Sequence, residues 1–400
     1  MLSPRRSELR LRVADRGQTP LRPLRLLFID FKLPYLLRDS EYAAGGWATQ
    51  LTGWIAGLAH LGHSVGVLTW KGANAHVGFY ADCELVETYD PSRGIRFVKY
   101  FASYIPSLLA AARRFAPDVL IQANAGMSTG IMAFIAQRLR RPFVFRVSND
   151  IDVDERCRDH LLGYERLAYR YGLGRASAYL CQNAYQLSRL AETRPRNLLH
   201  IIHNPYRIPD SLPDLRPRAE RRYVAWLAAM RPFKNLPLLA RIASALPDIP
   251  FRVAGMPDCT LDPASLAALE ILRDLPNAEM LGHVRRGDVP GFLSRAAMLL
   301  STSNYEGFSN TFLESFAAGT PVIARTIVDP DSVIRDRALG LTTPDEDSLA
   351  SSVLELWKMD VPRFDVLAER CRTYVTANHS PTAKAEELIR IIAPLVAQHA

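Results

Sequence analysis

Two glutamates eight positions apart, Glu306 and Glu314, stand in the stretch NYEGFSNTFLESFAAGTPVIA that runs from Asn304 to Ala324. The apolar run AMLLSTS before them reads as a buried strand, so Glu306 falls in the loop beyond that strand's carboxyl end. NTFLESFAAG reads as a helix with Gly319 as its C-cap. Glu314 then lies inside the helix, roughly 9 Å along the axis from Phe308 at 1.5 Å per residue. Carboxylates separated in this way do not share a metal and do not form a tight proton-transfer dyad. They can hold hydroxyl groups at two places along an extended, polyhydroxylated ligand. Between them the N–H groups of Gly307, Phe308, Ser309, Asn310 and Thr311 open the helix and offer an anion site. A single glutamate in a first helical turn is commonly just a favourable dipole partner. Both acids in register with AAGTPVIA argue for more than that.

Other chemistry-bearing residues also fall where strands are expected to end. In LAAMRPFKN, Arg231 and Lys234 are three apart near a helix start, where two cations and free N–H groups suit a diphosphate. An RxxK alone carries little weight. In LGHVRRGDVPGF, His283 and Val284 follow a strand; His283 reads as a loop residue rather than a catalyst. Arg285 and Arg286 read equally as solvated charges or as phosphate contacts. Gly45 and Gly46 precede a helix after a long loop, and glycine lets backbone approach a phosphate closely. No GxGxxG is present, so a nicotinamide site lacks its best support. FVFRVSNDIDVD ends a strand with Arg146, Asn149, Asp150 and Asp152 as polar candidates. Gln182 and Asn183 of CQNAYQ read as substrate contacts or as a plain helix start. His60 and His63 read as structural, and His203 as a hinge contact.

These residues need a scaffold, and the chain supplies one. Its 400 residues exceed one ordinary domain, and a 48% hydrophobic fraction supports large cores. Short apolar runs such as LRLLFIDF, SVGVLTW, DVLIQAN, PFVFRVSN and AYLCQN alternate with helical stretches, which predicts a parallel sheet covered on both faces. Four prolines from Pro205 to Pro217 interrupt the pattern. A second series then begins with RYVAWLAAM, FRVAG, AEMLG, AMLLSTS and PVIA. The organisation read from this is a basic flexible arm (1–23), a Rossmann-like domain (24–204), a linker (205–220), a second Rossmann-like domain (221–378) and a C-terminal helix (379–400) that packs back toward the first domain. Ser348 to Gln398 reads as three helices. Ligands of such sheets bind at the carboxyl ends of strands, where the candidate residues fall.

The net charge of +8 permits anionic partners, yet no RNA-binding aromatic signature, zinc-finger spacing or recognition helix accompanies it. Five cysteines without CxxC spacing fit a reducing, intracellular setting. No run of about 18 uncharged apolar residues suggests a membrane span. The opening stretch from Met1 to Arg25 lacks the apolar segment of a signal peptide; its seven arginines suit a mobile tail or an arm touching anionic lipid.

The string EGFSNTFLESFAAGTPVIA resembles the E-x7-E signature of the family 4 retaining glycosyltransferases, and the resemblance extends over about residues 24–395. It implies the GT-B fold, in which two doubly wound Rossmann-like domains face each other across a cleft. By position, it implies that Glu306 orients the donor sugar and Glu314 binds the ribose. It gives the amides from Gly307 to Thr311 to sugar and phosphate, Arg231 and Lys234 to the diphosphate, and the backbone at His283 and Val284 to the base. Gly45 and Gly46 would border the diphosphate and acceptor. Met230 stands where the family has a glycine. No histidine ends the strand before Ser148, Asn149 and Asp150, which leaves Asp150 as a catalytic candidate. The NDID acids have DxD metal spacing, but that motif belongs to another glycosyltransferase fold, and no metal or other cofactor is expected.

The implied reaction moves a sugar from a UDP- or GDP-linked donor to a hydroxyl of a glycan or lipid-linked acceptor. The implied setting is polysaccharide or glycoconjugate synthesis in the cytoplasm, with peripheral membrane contact and no nucleic acid partner. A nucleotide-sugar 2-epimerase would instead release a free sugar. A noncatalytic relative would bind donor without turnover. A basic nucleic-acid binder would show steep salt dependence and ignore nucleotide sugars.

Overall fold

The structure is a computed structural model that describes residues 22–38, 45–78, 80–90, 103–257 and 259–399. Positions 1–21 of the basic arm lie outside the described residues. Arg22, near the arm's end, pairs with Asp118 at 2.6 Å.

Seven strands form the first sheet: β1 (Arg25–Ile29), β2 (Ser64–Thr69), β3 (Glu84–Glu87), β4 (Val119–Ala123), β5 (Phe143–Arg146), β6 (Ala178–Cys181) and β7 (Leu199–Ile201). All pairs are parallel, in the order β3-β2-β1-β4-β5-β6-β7. Six more form the second: β8 (Tyr223–Leu227), β9 (Phe251–Ala254), β10 (Ala278–Gly282), β11 (Ala296–Leu300), β12 (Val322–Arg325) and β13 (Gly340–Thr343), in the order β10-β9-β8-β11-β12-β13. In both sheets the chain reverses direction of growth beside the first strand, which makes β1/β4 and β8/β11 the switch points where such sheets open a crevice.

Why the strands read as continuous apolar runs is visible in β1. Leu26 and Phe28 enter one core, while Leu27 and Ile29 enter the core on the opposite face. The same split divides Ala178 and Leu180 from Tyr179 and Cys181 in β6. With side chains alternating across a sheet covered on both faces, every position is apolar. Edge strands escape this demand. β3 (ELVE), β7 (LHI) and β13 (GLTT) are short and only partly buried, and the sequence pattern does not single them out.

Three helices, Ser348–Trp357, Val361–Asn378 and Pro381–Ala397, close the chain as the periodicity predicts. The last of them leaves the second half. Its Ala385, Leu388, Ile389, Ile392 and Val396 share a core with Trp54 and Leu58 of the helix Gly45–His60. That helix carries glycines one turn apart where the chain crosses between halves. A Cβ on Gly53 would meet the Pro205 carbonyl oxygen at 2.8 Å, and one on Gly57 would meet that of Pro381 at 2.1 Å. The two crossings are bonded to each other through His379, whose Nδ1 lies 2.7 Å from the Asn204 carbonyl oxygen and whose own carbonyl accepts from the Tyr206 N–H at 2.8 Å. Among the described residues, no helix is long and apolar enough to cross a membrane.

Gly57→Ala forces the helix off the Pro381 backbone, which cannot swing aside as a side-chain end can. Overpacking of this kind costs about 1–3 kcal/mol. Thermal melts should show Gly57→Ala lowering Tm clearly, while alanine at the unobstructed Gly287 leaves it within a degree or two; equal melts would show that the crossing is not tightly seated.

Candidate active site

A cleft of about 360 Å³ opens between the carboxyl ends of the two sheets. Gly45, Gly46, Arg231, Lys234, His283, Val284, Glu306, Gly307, Phe308, Ser309, Asn310, Thr311 and Glu314 all line it. Asp150 does not; its neighbours Ser148 and Asn149 do.

Two adjacent loops build the second-half wall. Beyond β9, Gly255 at φ +145° leaves no room for a side chain, since a Cβ would fall 1.8 Å from the carbonyl oxygen of Ala228, the residue with which the chain leaves β8. The chain then makes a 3₁₀ turn, Pro232–Lys234, and enters the helix Leu236–Ala245 through Asn235, which is left-handed (φ 55°) and caps the Leu238 N–H at 3.1 Å. This turn is bonded to the loop after β11: the Thr302 hydroxyl donates to the Lys234 carbonyl at 2.6 Å, and the Asn304 N–H to the Phe233 carbonyl at 2.7 Å. The Phe233 and Tyr305 rings stack at 4.7 Å. The stitching brings the Lys234 ammonium onto the Glu306 carboxylate, which also accepts from the Ser303 hydroxyl at 2.7 Å. The donor-orienting acid and the phosphate cation expected from the sequence are thus one ion pair.

From Glu306 the chain passes into the helix Asn310–Ala317. Gly319, beyond its C-cap Ala318, is left-handed (φ 67°), which places it at the position glycine favours. The expected run of amides is not uniformly available. The Phe308 N–H donates to Gln182 Oε1 at 2.7 Å, so the anion-facing set begins after it. Opposite, the helix Gly45–His60 starts at Gly45 with φ +80°, and the Asn310 side-chain amide donates to the Gly46 carbonyl at 2.6 Å. Two helix N-termini with their positive dipole ends therefore meet Arg231 and Lys234 around one cavity, an arrangement suited to a strongly anionic group.

Deeper in the cleft, burial pushes the Glu314 carboxyl up to about 7, with the Arg286 charge pulling the other way. No hydrogen bond to its carboxylate is present among the described residues. Arg286 reaches across to the first half, donating to the Thr52 hydroxyl at 3.2 Å. His283 has an Nε2 with no hydrogen-bond partner among the described residues.

Both NDID acids are engaged within the first half. Asp152 accepts from the Ser148 and Asn149 N–H groups, both at 3.0 Å. Asp150 accepts from Asn183 at 3.0 Å and Gln186 at 2.9 Å, and burial raises its pKa to about 6. Asp150 therefore stands one layer behind the cleft. Asn183 caps the helix Ala184–Ala191, taking the Gln186 N–H at 2.8 Å. Among the described residues no group of three or more His, Cys, Asp or Glu could hold a metal ion. Gln50, Asn124 and Asn204 escaped the sequence reading. Gln50 and Asn124 line the cleft, and Asn204 bonds the Phe308 carbonyl at 3.0 Å. Asn124 had one signal, an asparagine directly after an apolar strand, a position it occupies at φ 72°.

The paired sheets and the crevice between their switch points define the GT-B fold. Solved structures share it: Anabaena Alr3699/HepE in complex with UDP and glucose (15% identity, 93% of this chain and 100% of that chain, TM-score 0.68), the sucrose-phosphate synthase of Thermosynechococcus elongatus (16%, 94% and 100%, 0.72), and WaaG, a glycosyltransferase involved in lipopolysaccharide biosynthesis (18%, 92% and 99%, 0.61). No curated protein sequence matches the chain. Residues 45–205 match the glycosyl transferase 4-like domain, and residues 221–359 match the glycosyl transferases group 1. The chain is a GT-B glycosyltransferase composed of these two domains in that order.

A pH dependence follows from Glu314. Its folded pKa, about 7 against an ordinary 4.5, means that the folded chain binds more protons than the unfolded one between those values. Stability contributed by the neutral form is complete below about 4.5 and is lost as pH rises through 7. Asp30, Asp150 and Asp152, each raised to about 6, act in the same direction. Melting curves of wild type and Glu314→Gln should therefore converge at low pH and separate by a few degrees toward pH 8, the variant being the more stable. A constant difference across the range would contradict the raised pKa of this half-buried residue.

Proposed function

We propose that the enzyme transfers a sugar, with retention of configuration, from a nucleotide-diphosphate sugar to a hydroxyl of a glycan or lipid-linked acceptor. The observation that carries this reading is the convergence of Glu306, Glu314, Arg231, Lys234 and two helix N-termini on one cavity. Glu306 would hold the donor sugar and Glu314 the ribose hydroxyls. The diphosphate would lie against Arg231, Lys234 and the N–H groups of Ser309, Asn310 and Thr311. Related folds have been crystallised with UDP and with UDP-glucose, which favours a uridine donor, and the lipopolysaccharide role of WaaG favours synthesis of a surface glycan.

In the proposed step the bond between the anomeric carbon and the phosphate oxygen breaks, its electrons leaving with the diphosphate. The acceptor oxygen bonds the same face of the sugar, and its proton passes to the departing phosphate. Cations and amides already in place meet the charge that grows on that oxygen, without reorganisation at the moment of reaction. The state of the nearby acids supports this one-face course. Glu306 is held by Lys234 and Ser303, Asp150 by Asn183 and Gln186, and Asp152 by two backbone N–H groups. The carboxylates position, and the leaving group itself is the base. No metal takes part in this scheme, and the enzyme works in the cytoplasm, at or near a membrane face.

The test is nucleotide release from UDP-glucose and a GDP-linked hexose, measured with and without EDTA. Lys234→Ala should weaken diphosphate binding about tenfold or more, the equivalent of about 1.4 kcal/mol. Glu306→Gln should lower turnover by about 10²–10³ with a smaller change in nucleotide affinity. Loss of activity in EDTA would refute the metal-free course, and full turnover in Glu306→Gln would refute its donor role.

A further inference from the structure

The loop that joins Glu306 to its helix is held from the opposite half of the molecule. The Phe308 N–H donates to Gln182 Oε1 (2.7 Å), the Phe308 carbonyl accepts from Asn204 Nδ2 (3.0 Å), and the Gly307 carbonyl accepts from Asn183 Nδ2 (3.3 Å). Gln182 and Asn204 are fully buried, and Asn183 nearly so. They come from the ends of β6 and β7, more than a hundred residues earlier in the chain. The Phe308 ring rests against both His203 and His379, at the two crossings. Gly307 allows this closeness: a Cβ there would lie 2.6 Å from both Gln182 Oε1 and the Ser148 carbonyl oxygen.

Both amides have a defined orientation. Asn204 Oδ1 accepts from the Arg146 guanidinium at 2.5 Å, which leaves its Nδ2 for the Phe308 carbonyl. Arg146 is itself buried, bonds the Ile202 carbonyl at 3.2 Å, and lies over the Trp54 ring at 5.3 Å. Gln182 must present oxygen to the Phe308 N–H, and its Nε2 has no hydrogen-bond partner among the described residues. The requirement on the two side chains is therefore opposite: position 182 must accept and position 204 must donate.

We infer that Gln182 and Asn204 are positioning residues for donor binding. Together they set the peptide planes on either side of Phe308, and so aim the N–H groups of Ser309, Asn310 and Thr311 into the cleft. The donor loop then has its binding geometry only while the two halves are together, so donor affinity and approach of the halves reinforce each other by linkage. This inference rests on the nucleotide-sugar reading of the cleft.

Paired acid substitutions test it, because each adds one buried negative charge beside the same loop while changing the hydrogen bond in opposite senses. Gln182→Leu should raise the Kd for UDP, or for GDP if the wild type prefers it, at least tenfold. Gln182→Glu keeps an acceptor and should recover affinity to within about threefold of wild type. Asn204→Asp keeps the bond to Arg146 but sets two acceptors against each other, and should lose affinity at least tenfold. Amide exchange over the 303–312 segment should accelerate in Gln182→Leu and Asn204→Asp and stay near wild type in Gln182→Glu. Equal behaviour of the two acid variants, or wild-type Kd in Gln182→Leu, overturns the inference. The exchange measurement needs no ligand. If wild type binds neither nucleotide, the nucleotide-sugar reading falls and the positioning role with it, while the exchange order still shows whether the bonds form.

Discussion

Two crossings of the chain between its halves meet at one buried imidazole, and the cleft takes its shape from that meeting. His379 bonds the Asn204 carbonyl through Nδ1, faces the Tyr374 hydroxyl through Nε2 at 3.2 Å, and takes the Tyr206 N–H on its own carbonyl. Burial pulls its pKa down to about 3, so it stays neutral throughout the physiological range. A charged imidazole here would lack a counter-ion and would carry the desolvation cost of an isolated ion. Asn204 uses its backbone oxygen on the crossing and its side chain on the donor loop. A single residue therefore joins the connection between the halves to the backbone that lines the cleft.

The polar groups of the cleft are sorted by sign. Acids near its wall are turned onto backbone amides, side-chain amides or Lys234, and among the described residues none stands as an open carboxylate except Glu314, which burial keeps largely protonated below neutral pH. Under the β11 loop, Arg325 donates to the Ser303 carbonyl at 2.8 Å and to Asn304 at 2.7 Å, and is held by Glu346 at 3.1 Å. Glu346 also holds Asn235 and Arg241. The partly exposed members of this network contribute little to stability singly. Their effect is to keep the loops after β8 and β11 in one register.

How much of this was legible in the chain depends on how local the cause is. Glu306 and Glu314, the Arg231–Lys234 pair and the glycines at 45 and 46 announce themselves because a loop-to-helix turn needs those residue types at fixed spacing. The central strands announce themselves because both faces are buried. β3, β7 and β13 do not, since an edge strand lacks the neighbour that would demand apolar side chains on every position. Asp150 misled in an instructive way. It follows a strand at the carboxyl end, as a ligand contact should, yet its side chain turns to Asn183 and Gln186 on a neighbouring helix. Gln182 and Asn204 were opaque for a deeper reason. Their partners lie over a hundred positions away, and nothing local separates a glutamine that caps a loop in another domain from one that begins a helix.

The last helix, Pro381–Ala397, completes a core whose other walls are made near the start of the chain. On the ribosome, synthesis at roughly 5–20 residues per second puts an interval on the order of tens of seconds between Trp54 and the residues that cover it. Once β7 is complete at Ile201, and until the last helix emerges, the first sheet and the helix Gly45–His60 are made but their outer apolar face has no lid. The second sheet, by contrast, has its covering helices Ser348–Trp357 and Val361–Asn378 in hand almost as soon as its strands are complete. The order of maturation is thus inverted relative to the order of synthesis: the half made first is finished last, and it is the half whose nascent surface a chaperone would meet.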